Sequence, residues 1–168
     1  MKNVIYLGGG CFWGVEKYLQ GIKGIDATFV GYANGDNPMT TYKQVCAGSG
    51  HAEVVKVEYG DEISLSTILD FFVEVINPFS INKQGNDIGV QYRTGIYFED
   101  ENLGNQAKTW LANFQKSVDK PIAIECKVLE HFCMAEPEHQ KYLDNNPNGY
   151  CHIPKSMFEY AVKKSHDV

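Results

Sequence analysis

The chain has 168 residues, a length that fits one domain (residues 1–168) with a hydrophobic core of its own. Its net charge is −6, which argues against nucleic-acid binding, because a phosphate backbone requires clustered lysine and arginine. No segment approaches the ~20 apolar residues of a membrane span, and the apolar run at the N-terminus is too short for a signal-peptide core.

The first part of the chain alternates between strand and helix patterns. Val4–Leu7 is a short β-rich run that ends at three glycines. From Phe12 the apolar residues follow helical spacing as far as the stop at Gly24. Ala27–Tyr32 and His51–Tyr59 have the pattern of strands, and the turn-rich residues between them predict a long loop or a short helix.

The second part of the chain continues the alternation and ends in a segment of different composition. It predicts helices over 64–77, 101–117 and 136–143, strands over 90–98 and 122–130, and a loop over 79–89. From Asp144 onward, asparagine, proline and glycine are poor material for regular structure. We therefore expect a flexible C-terminal segment from about residue 144.

Two neighbouring strand patterns bear on the fold class. No obvious helix separates Ala27–Tyr32 from His51–Tyr59, so a parallel crossover between them is disfavoured. This favours an α+β sandwich with an antiparallel or mixed sheet over a doubly wound parallel sheet.

The sequence "GGGCFWG" places Cys11 where a strand turns into a helix. Unpaired N–H groups at a helix N-terminus stabilise a thiolate, so we expect a lowered pKa for Cys11. The glycines allow close approach to the sulfur, and Phe12 and Trp13 offer an apolar wall beside it. The alternative is a buried core cysteine. A phosphate loop is disfavoured, since the Walker lysine and the dinucleotide spacing are missing.

The other cysteines have different surroundings. Five cysteines, an odd number in a chain of this length, do not match a small disulfide-framed secreted fold, so we expect a reducing, cytoplasmic environment. Cys151 lies in the predicted flexible segment and could reach a partner thiol. Cys126 falls within a predicted strand, and Cys46 has no base beside it. Cys133, His139, Cys151 and His152 lack paired-ligand spacing, so we expect no metal site.

Two polar stretches add candidates for acid–base chemistry. "TTYKQVCAGSGHAEVV" contains Tyr42, His51 and Glu53, and Glu53 stands next to valines that would desolvate its carboxyl group. "GNDIGVQYRTG" contains Asp87 and Tyr92. One interpretation is a cysteine hydrolase with Cys11 as nucleophile and His51 as base, although it leaves Cys151 without a role. Another is a module that binds its ligand or zinc without catalysis.

Five ordered stretches resemble the A-type peptide methionine sulfoxide reductases. They are "GCFWG", "TYKQVCAGSGHAEVV", "GNDIGVQYRTGIYF", "AEPEHQKYL" and "NPNGYC", and together they span essentially the whole chain. The resemblance implies a ferredoxin-like two-layer sandwich. It also implies reduction of the S epimer of methionine sulfoxide, free or in proteins, with thioredoxin as reductant and without a cofactor. We expect a monomer.

The resemblance also implies roles for individual residues. Cys11 matches the nucleophile, which would become a sulfenic acid, and Cys151 matches the resolving cysteine. Because Cys11 needs open space for a methionine side chain, we expect the segment that carries Cys151 to be displaced or poorly ordered while the thiols are reduced. Glu53 matches the acid that protonates the sulfoxide oxygen. The remaining matched residues would hold the substrate. Phe12 and Trp13 would contact its methyl group, and Tyr42, Asp87 and Tyr92 would contact its oxygen.

Some residues depart from the family pattern. Glu138 stands before His139 where an aromatic residue is frequent, and Ser49 stands where threonine is common. No cysteine follows Cys151, so a further disulfide relay in the tail is not expected. If Cys151 did not resolve the sulfenic acid, Cys46 and Cys133 would be the thiols to test.

Overall fold

A six-stranded mixed sheet with helices packed on it forms the fold in the computed structural model, which describes residues 2–167. The strands are β1 (Asn3–Gly8), β2 (Ile25–Ala33), β3 (Ala52–Tyr59), β4 (Lys83–Gln84), β5 (Asp87–Ile88), β6 (Gly95–Phe98), β7 (Glu125–Val128) and β8 (Phe132–Met134). The helices are α1 (Phe12–Gln20), α2 (Tyr42–Cys46), α3 (Leu65–Val73), α4 (Glu101–Lys116), α5 (Tyr142–Asn145) and α6 (Lys155–His166).

The sheet has the strand order β7-β6-β1-β3-β2-β8, and β4 and β5 form a separate small hairpin. All neighbours in the large sheet run antiparallel except β6 and β7, which are parallel. β2 and β3 pair directly, as the missing crossover helix between their sequence patterns predicts. The expectation of a mixed α and β fold is therefore confirmed.

The core forms because strand side chains alternate between the two faces of the sheet. Ile5 and Leu7 of β1 are fully buried in the main core with residues of α1, α3 and α4. Tyr6, which lies between them, faces a smaller cluster with Val54 and Tyr97. The Tyr18 hydroxyl donates a hydrogen bond to the Phe71 carbonyl oxygen at 2.7 Å, which joins α1 to α3.

Several predicted elements are shorter or divided in the structure. The strand predicted over 90–98 begins only at Gly95, and Val90–Tyr92 forms a 3-10 turn. The Arg93 guanidinium stabilises this turn, because it donates hydrogen bonds to the carbonyl oxygens of Val90 and Gly50. The long loop between β2 and β3 contains the short helix α2, and the predicted loop over 79–89 contains the β4–β5 hairpin.

The helix predicted over 136–143 is also divided. It consists of the 3-10 turn Pro137–His139 and α5, because Lys141 between them has a φ of 53°. That left-handed backbone cannot continue a helix. The strand predicted over 122–130 shortens to β7, and the sequence patterns did not predict β8.

The C-terminal helix α6 was not predicted. Its apolar residues at helical spacing, Met157, Phe158 and Ala161, pack against the main core. The Ser165 hydroxyl oxygen accepts a hydrogen bond from the Lys23 backbone N–H at 2.9 Å. The prediction of irregular structure relied on residues 144–149 and overlooked this periodicity. The flexibility of the segment stays a prediction.

Between residues 2 and 167, no helix has both the length and the hydropathy that crossing a bilayer requires.

Candidate active site

Cys11 lies at the turn between β1 and α1, at the N-cap position of the helix. The turn depends on Gly10, whose φ is +90°, and a Cβ there would lie 2.8 Å from Gln84 Cβ and 2.9 Å from His152 Nε2. Only glycine fits this position. Cys11 is 7% exposed, so the turn places a buried sulfur at the helix N-terminus.

The electrostatic surroundings of Cys11 differ from the expected ones. Burial raises the pKa of the Cys11 thiol, and the nearby Glu53 carboxylate raises it further. The Trp13 backbone N–H lowers the pKa, as a helix N-terminus should, but burial outweighs it. The expected lowering is therefore wrong for the resting chain, in which Cys11 is a neutral thiol. Protonation of Glu53 removes the unfavourable charge beside it.

Glu53 lies on β3 beside the same turn, and it is 1% exposed. Its Oε1 accepts a hydrogen bond from the Phe12 backbone N–H at 3.2 Å, whereas its Oε2 has no hydrogen-bond partner within residues 2–167. Burial raises the pKa of Glu53 to about 8, an effect that the Asp87 charge reinforces. Glu53 is therefore largely protonated at neutral pH and can act as an acid.

Aromatic side chains form a wall beside Cys11. The Trp13 ring stacks on Tyr142 with 3.8 Å between centroids, and the Trp13 indole N–H donates a hydrogen bond to His139 Nδ1 at 3.1 Å. The His139 ring lies 5.7 Å from Phe12 and 4.6 Å from Tyr42. This wall is apolar and fits a methyl group.

Two phenol groups lie close to Glu53. Burial raises the pKa of Tyr42 and of Tyr92, and the Glu53 charge contributes to both shifts, so both hydroxyls remain hydrogen-bond donors. Glu136 positions Tyr42, because its Oε2 accepts a hydrogen bond from the Tyr42 backbone N–H at 2.9 Å. The other Glu136 oxygen accepts a hydrogen bond from the Tyr32 hydroxyl at 2.8 Å.

The Asp87 carboxylate is engaged by the C-terminal segment. Its Oδ1 accepts a hydrogen bond from the Tyr150 hydroxyl at 3.0 Å, and its Oδ2 lies 3.7 Å from His152 Nδ1. Its charge also raises the pKa of Cys11, so the carboxylate lies near the thiol. Asp87 therefore connects the site to the segment that carries Cys151.

Cys151 is half-buried against the first turn of α1. A Cβ at Gly14 would lie 2.7 Å from the Cys151 sulfur, so glycine permits this approach. The sulfur accepts a hydrogen bond from the Ile153 backbone N–H at 3.3 Å, and Cys151 is near enough to Cys11 to raise its pKa. We expected a flexible segment to be displaced while the thiols are reduced. With all five cysteines, each inside the described range, free, the segment instead packs on the site.

An ion pair with a buried carboxylate holds the segment that contains His139 and Tyr142. Lys141 Nζ lies 2.9 Å from Glu16 Oε2, and Glu16 Oε1 accepts a hydrogen bond from the Lys141 backbone N–H at 2.7 Å. Thr28 adds its hydroxyl to the same cluster. Glu16 is on α1 with Trp13, and Lys141 lies between His139 and Tyr142, so the two sides of the wall are joined.

Sequence reasoning brought together some of these residues and missed others. The structure places the predicted Phe12, Trp13, Tyr42, Glu53, Asp87, Tyr92 and Cys151 around Cys11. It adds residues that the sequence analysis did not single out as functional, namely Tyr32, Glu136, His139, Tyr142 and Tyr150. Most of them lie in "AEPEHQKYL" and "NPNGYC", so those two stretches contained a signal that was read only as family resemblance.

The alternative sites do not fit the structure. Both ring nitrogens of His51 are engaged, Nδ1 with the Ser49 hydroxyl at 2.8 Å and Nε2 with the Asn37 carbonyl oxygen at 2.7 Å, so His51 is not a base for Cys11. Across residues 2–167, no group of three or more histidine, cysteine, aspartate or glutamate side chains is arranged to hold a metal ion.

Comparisons with known sequences identify the family of this chain. The sequence pattern of the family described as "Peptide methionine sulfoxide reductase" matches residues 3–167. The chain is 52% identical over 163 residues to peptide methionine sulfoxide reductase MsrA of Lachnoclostridium phytofermentans, covering 96% of this chain and 98% of that protein.

Solved structures with the same fold lead to the same assignment. Methionine sulfoxide reductase A of Corynebacterium diphtheriae has a TM-score of 0.85 at 32% identity, covering 92% of this chain and 84% of that one. Reduced Mxr1 from Saccharomyces cerevisiae has a TM-score of 0.84 at 36% identity, covering 89% and 88% of the two chains. This chain belongs to the peptide methionine sulfoxide reductase family, a family of oxidoreductases.

Proposed function

We propose that the chain reduces the S epimer of methionine sulfoxide, free or within proteins, to methionine, with thioredoxin as the reductant. The observation that carries this proposal is the pairing of a buried, largely protonated Glu53 with the Cys11 thiol. A sulfoxide sulfur becomes a good electrophile only when its oxygen is protonated, and Glu53 supplies that proton.

In the first step, the aromatic wall holds the substrate methyl group, while Glu53, Tyr42 and Tyr92 contact the sulfoxide oxygen. Cys11 attacks the sulfoxide sulfur as Glu53 protonates the oxygen, and the thiol proton returns to Glu53. Two electrons pass from the Cys11 sulfur to the substrate sulfur. The products are methionine and a Cys11 sulfenic acid, so the oxygen atom has moved to the enzyme.

In the second step, the Cys151 thiol attacks the Cys11 sulfenic acid. A Cys11–Cys151 disulfide forms, and the sulfenic acid hydroxyl leaves with the thiol proton as one water molecule. The packing of Cys151 against Gly14 supports this choice of resolving cysteine. Cys46 and Cys133 remain the thiols to test if Cys151 does not resolve the sulfenic acid.

In the third step, thioredoxin reduces the disulfide by thiol–disulfide exchange. Mxr1 from Saccharomyces cerevisiae, whose reduced form resembles this chain at 36% identity, has been solved in complex with Trx2. Cys151 also lines an open cavity of about 360 Å³ together with Leu143, Pro147 and Phe158. That cavity gives a reductant a route to the half-buried sulfur of Cys151.

We also propose a ferredoxin-like two-layer sandwich as the fold type. Apart from the short elements α2, β4 and β5 inserted between them, β1, α1, β2, β3, α3 and β6 follow the β-α-β-β-α-β order of that fold. In the sheet these four strands stand in the order β6-β1-β3-β2, which supports the proposal. We further propose that the chain works as a monomer in the cytoplasm, where a reducing environment suits its odd number of cysteines.

The test is NADPH oxidation that depends on methionine sulfoxide, with thioredoxin and thioredoxin reductase present. We expect turnover with the S epimer, little with the R epimer, and a sulfenic acid that dimedone traps on Cys11. A protein that accumulates an acyl-enzyme and no sulfenic acid would instead be a hydrolase. A protein that binds the sulfoxide without turnover in dithiothreitol would contradict the proposed activity.

A further inference from the structure

His152 follows Cys151 directly, and its side chain is 4% exposed. Its Nε2 lies 3.0 Å from the Gly9 carbonyl oxygen, two residues before Cys11. A carbonyl oxygen only accepts hydrogen bonds, so Nε2 carries a proton and donates it. In a neutral imidazole, Nδ1 is then left with a lone pair.

That lone pair faces another acceptor. His152 Nδ1 lies 3.7 Å from Asp87 Oδ2, and both atoms are buried without a hydrogen-bond partner among residues 2–167. Two buried acceptors that face each other are unfavourable, because each has lost water and neither has gained a donor. One proton between them gives both atoms a hydrogen-bond partner once they move closer than the 3.7 Å that separates them here.

We propose that His152 and Asp87 share one proton, and that this shared proton holds Cys151 in position to resolve the Cys11 sulfenic acid. His152 is thus a positioning residue that acts through Asp87 and through the turn at Gly9. The inference rests on the proposed function, because it concerns the second step of that reaction.

The contacts around Cys151 explain why this proton matters for its position. Asp87 contacts the residues on both sides of Cys151, through the Tyr150 hydroxyl at 3.0 Å and through His152. Asp87 lies on the β4–β5 hairpin, and Gly9 precedes the Cys11 turn. The resolving thiol is therefore held between two parts of the site by polar contacts that a single proton completes.

Burial and the Asp87 charge act in opposite directions on the protonation of His152. Burial holds the pKa of His152 below its usual value, although the Asp87 carboxylate opposes this shift. The Asp87 charge also acts on titratable groups of the surrounding elements, which are Cys11, Glu53, Tyr92, Tyr150 and Cys151. Loss of the shared proton at high pH leaves two facing lone pairs, so the docking of Cys151 weakens as pH rises.

Two amide substitutions of His152 distinguish the contact made by its Nδ1 from the contact made by its Nε2. In His152→Asn the side-chain amide nitrogen takes the place of Nδ1 and donates permanently to Asp87. In His152→Gln the amide nitrogen takes the place of Nε2 and reaches Gly9, while the contact with Asp87 is lost. We expect His152→Gln to slow disulfide formation by about tenfold, the scale of one hydrogen bond to a charged group, and His152→Asn to restore most of the rate.

The rate is measured in a single turnover with free methionine sulfoxide, quenched with dimedone at intervals. Mass spectrometry then gives the fractions of trapped Cys11 sulfenic acid and of Cys11–Cys151 disulfide. The wild-type rate divided by the His152→Asn rate should fall as pH rises, because only the wild type loses a proton. His166→Gln, at an exposed histidine of α6, is the matched control and should behave as the wild type.

Two outcomes overturn the proposal. One is an unchanged disulfide rate in His152→Gln. The other is a nitrogen-15 and carbon-13 NMR spectrum in which His152 Nδ1 has a free lone pair and the Asp87 carboxyl group is ionised at neutral pH. NMR tests the pair without any turnover. Slow oxidation of Cys11 by hydrogen peroxide with dimedone present yields the sulfenic acid and water. The ratio of disulfide to trapped sulfenic acid then tests the disulfide step even if the chain reduces no sulfoxide.

Discussion

Cys11 and Cys151 lie in one site but are held in different ways. The backbone fixes Cys11, because β1 pairs with β3 up to Leu7 and with β6 up to Gly8, and α1 begins directly after the thiol. Side chains from distant parts of the sequence hold Cys151, which is half-buried between Tyr150 and His152. The proposed nucleophile therefore has a fixed place, whereas the position of the proposed resolving thiol can change at the cost of a few polar contacts.

The largest expected effect on activity comes from removing the Cys11 thiol. Cys11→Ser should abolish methionine formation with thioredoxin and with dithiothreitol, because a neutral alcohol does not replace a sulfur nucleophile. Methionine is measured by chromatography. Cys126→Ser, which alters a half-buried thiol of β7, is the control and should remain active. Substantial turnover by Cys11→Ser would contradict the assignment of the nucleophile.

Removing the resolving thiol should leave one turnover. Cys151→Ser should release about one methionine per enzyme and then stall with thioredoxin, while a small thiol regenerates it slowly. Burst kinetics measures this stoichiometry. Peptide mapping of the wild type after oxidation by substrate should find a Cys11–Cys151 bridge. A bridge from Cys11 to Cys46 or Cys133 would show that another thiol resolves the sulfenic acid.

Glu53→Gln should slow the first step by about 10²- to 10⁴-fold, the usual contribution of a general acid. Substrate binding should change much less, because glutamine keeps the size of the side chain. The pKa of Glu53 is raised to about 8, so the wild-type rate of a single turnover should fall as pH rises through that value. The variant should lack this dependence. An unchanged single-turnover rate would assign the proton to another group.

Glu53→Gln should also change how stability depends on pH. The folded pKa of about 8 lies above the ordinary value of 4.5, so between these values the folded chain keeps a proton that the unfolded chain has lost. The free energy of unfolding of the wild type should therefore fall as pH rises from about 4.5 to about 8. Thermal unfolding at both ends of this window should reveal a smaller loss in the variant. Equal losses would mean that Glu53 is not desolvated as the structure indicates.

The smallest expected effect concerns the contact between the two regions. Gly14→Ala should favour the helix by up to ~1 kcal/mol, but the new Cβ would lie 2.7 Å from the Cys151 sulfur. We expect a lower melting temperature and a modestly slower disulfide step. In a Cys151→Ala background the same substitution should stabilise the protein. Stabilisation by Gly14→Ala in both backgrounds would mean that Cys151 is not packed on α1.

The same comparison explains what the sequence could predict. The Cys11 turn is local, since strand pattern, glycines and helix pattern are consecutive, and Glu53 stands next to the valines that bury it. The docking of Cys151 depends on contacts of the neighbouring His152 with Gly9 and Asp87, which are far from it in sequence. The composition of the C-terminal segment alone therefore suggested only flexibility. The expected lowering of the Cys11 pKa failed for a similar reason. Helix position is local, whereas burial of the thiol by neighbouring elements is not.

Burial of the Cys11 thiol has a consequence for a protein of a family whose substrate is a product of oxidation. A neutral, 7% exposed thiol reacts slowly with peroxides and alkylating agents, because those reagents require the thiolate and access to it. In the proposed mechanism, a substrate that brings its own oxygen atom to Glu53 avoids this restriction, since the acid activates the substrate rather than the thiol. The resting repair enzyme is thus protected from the oxidants whose damage it reverses.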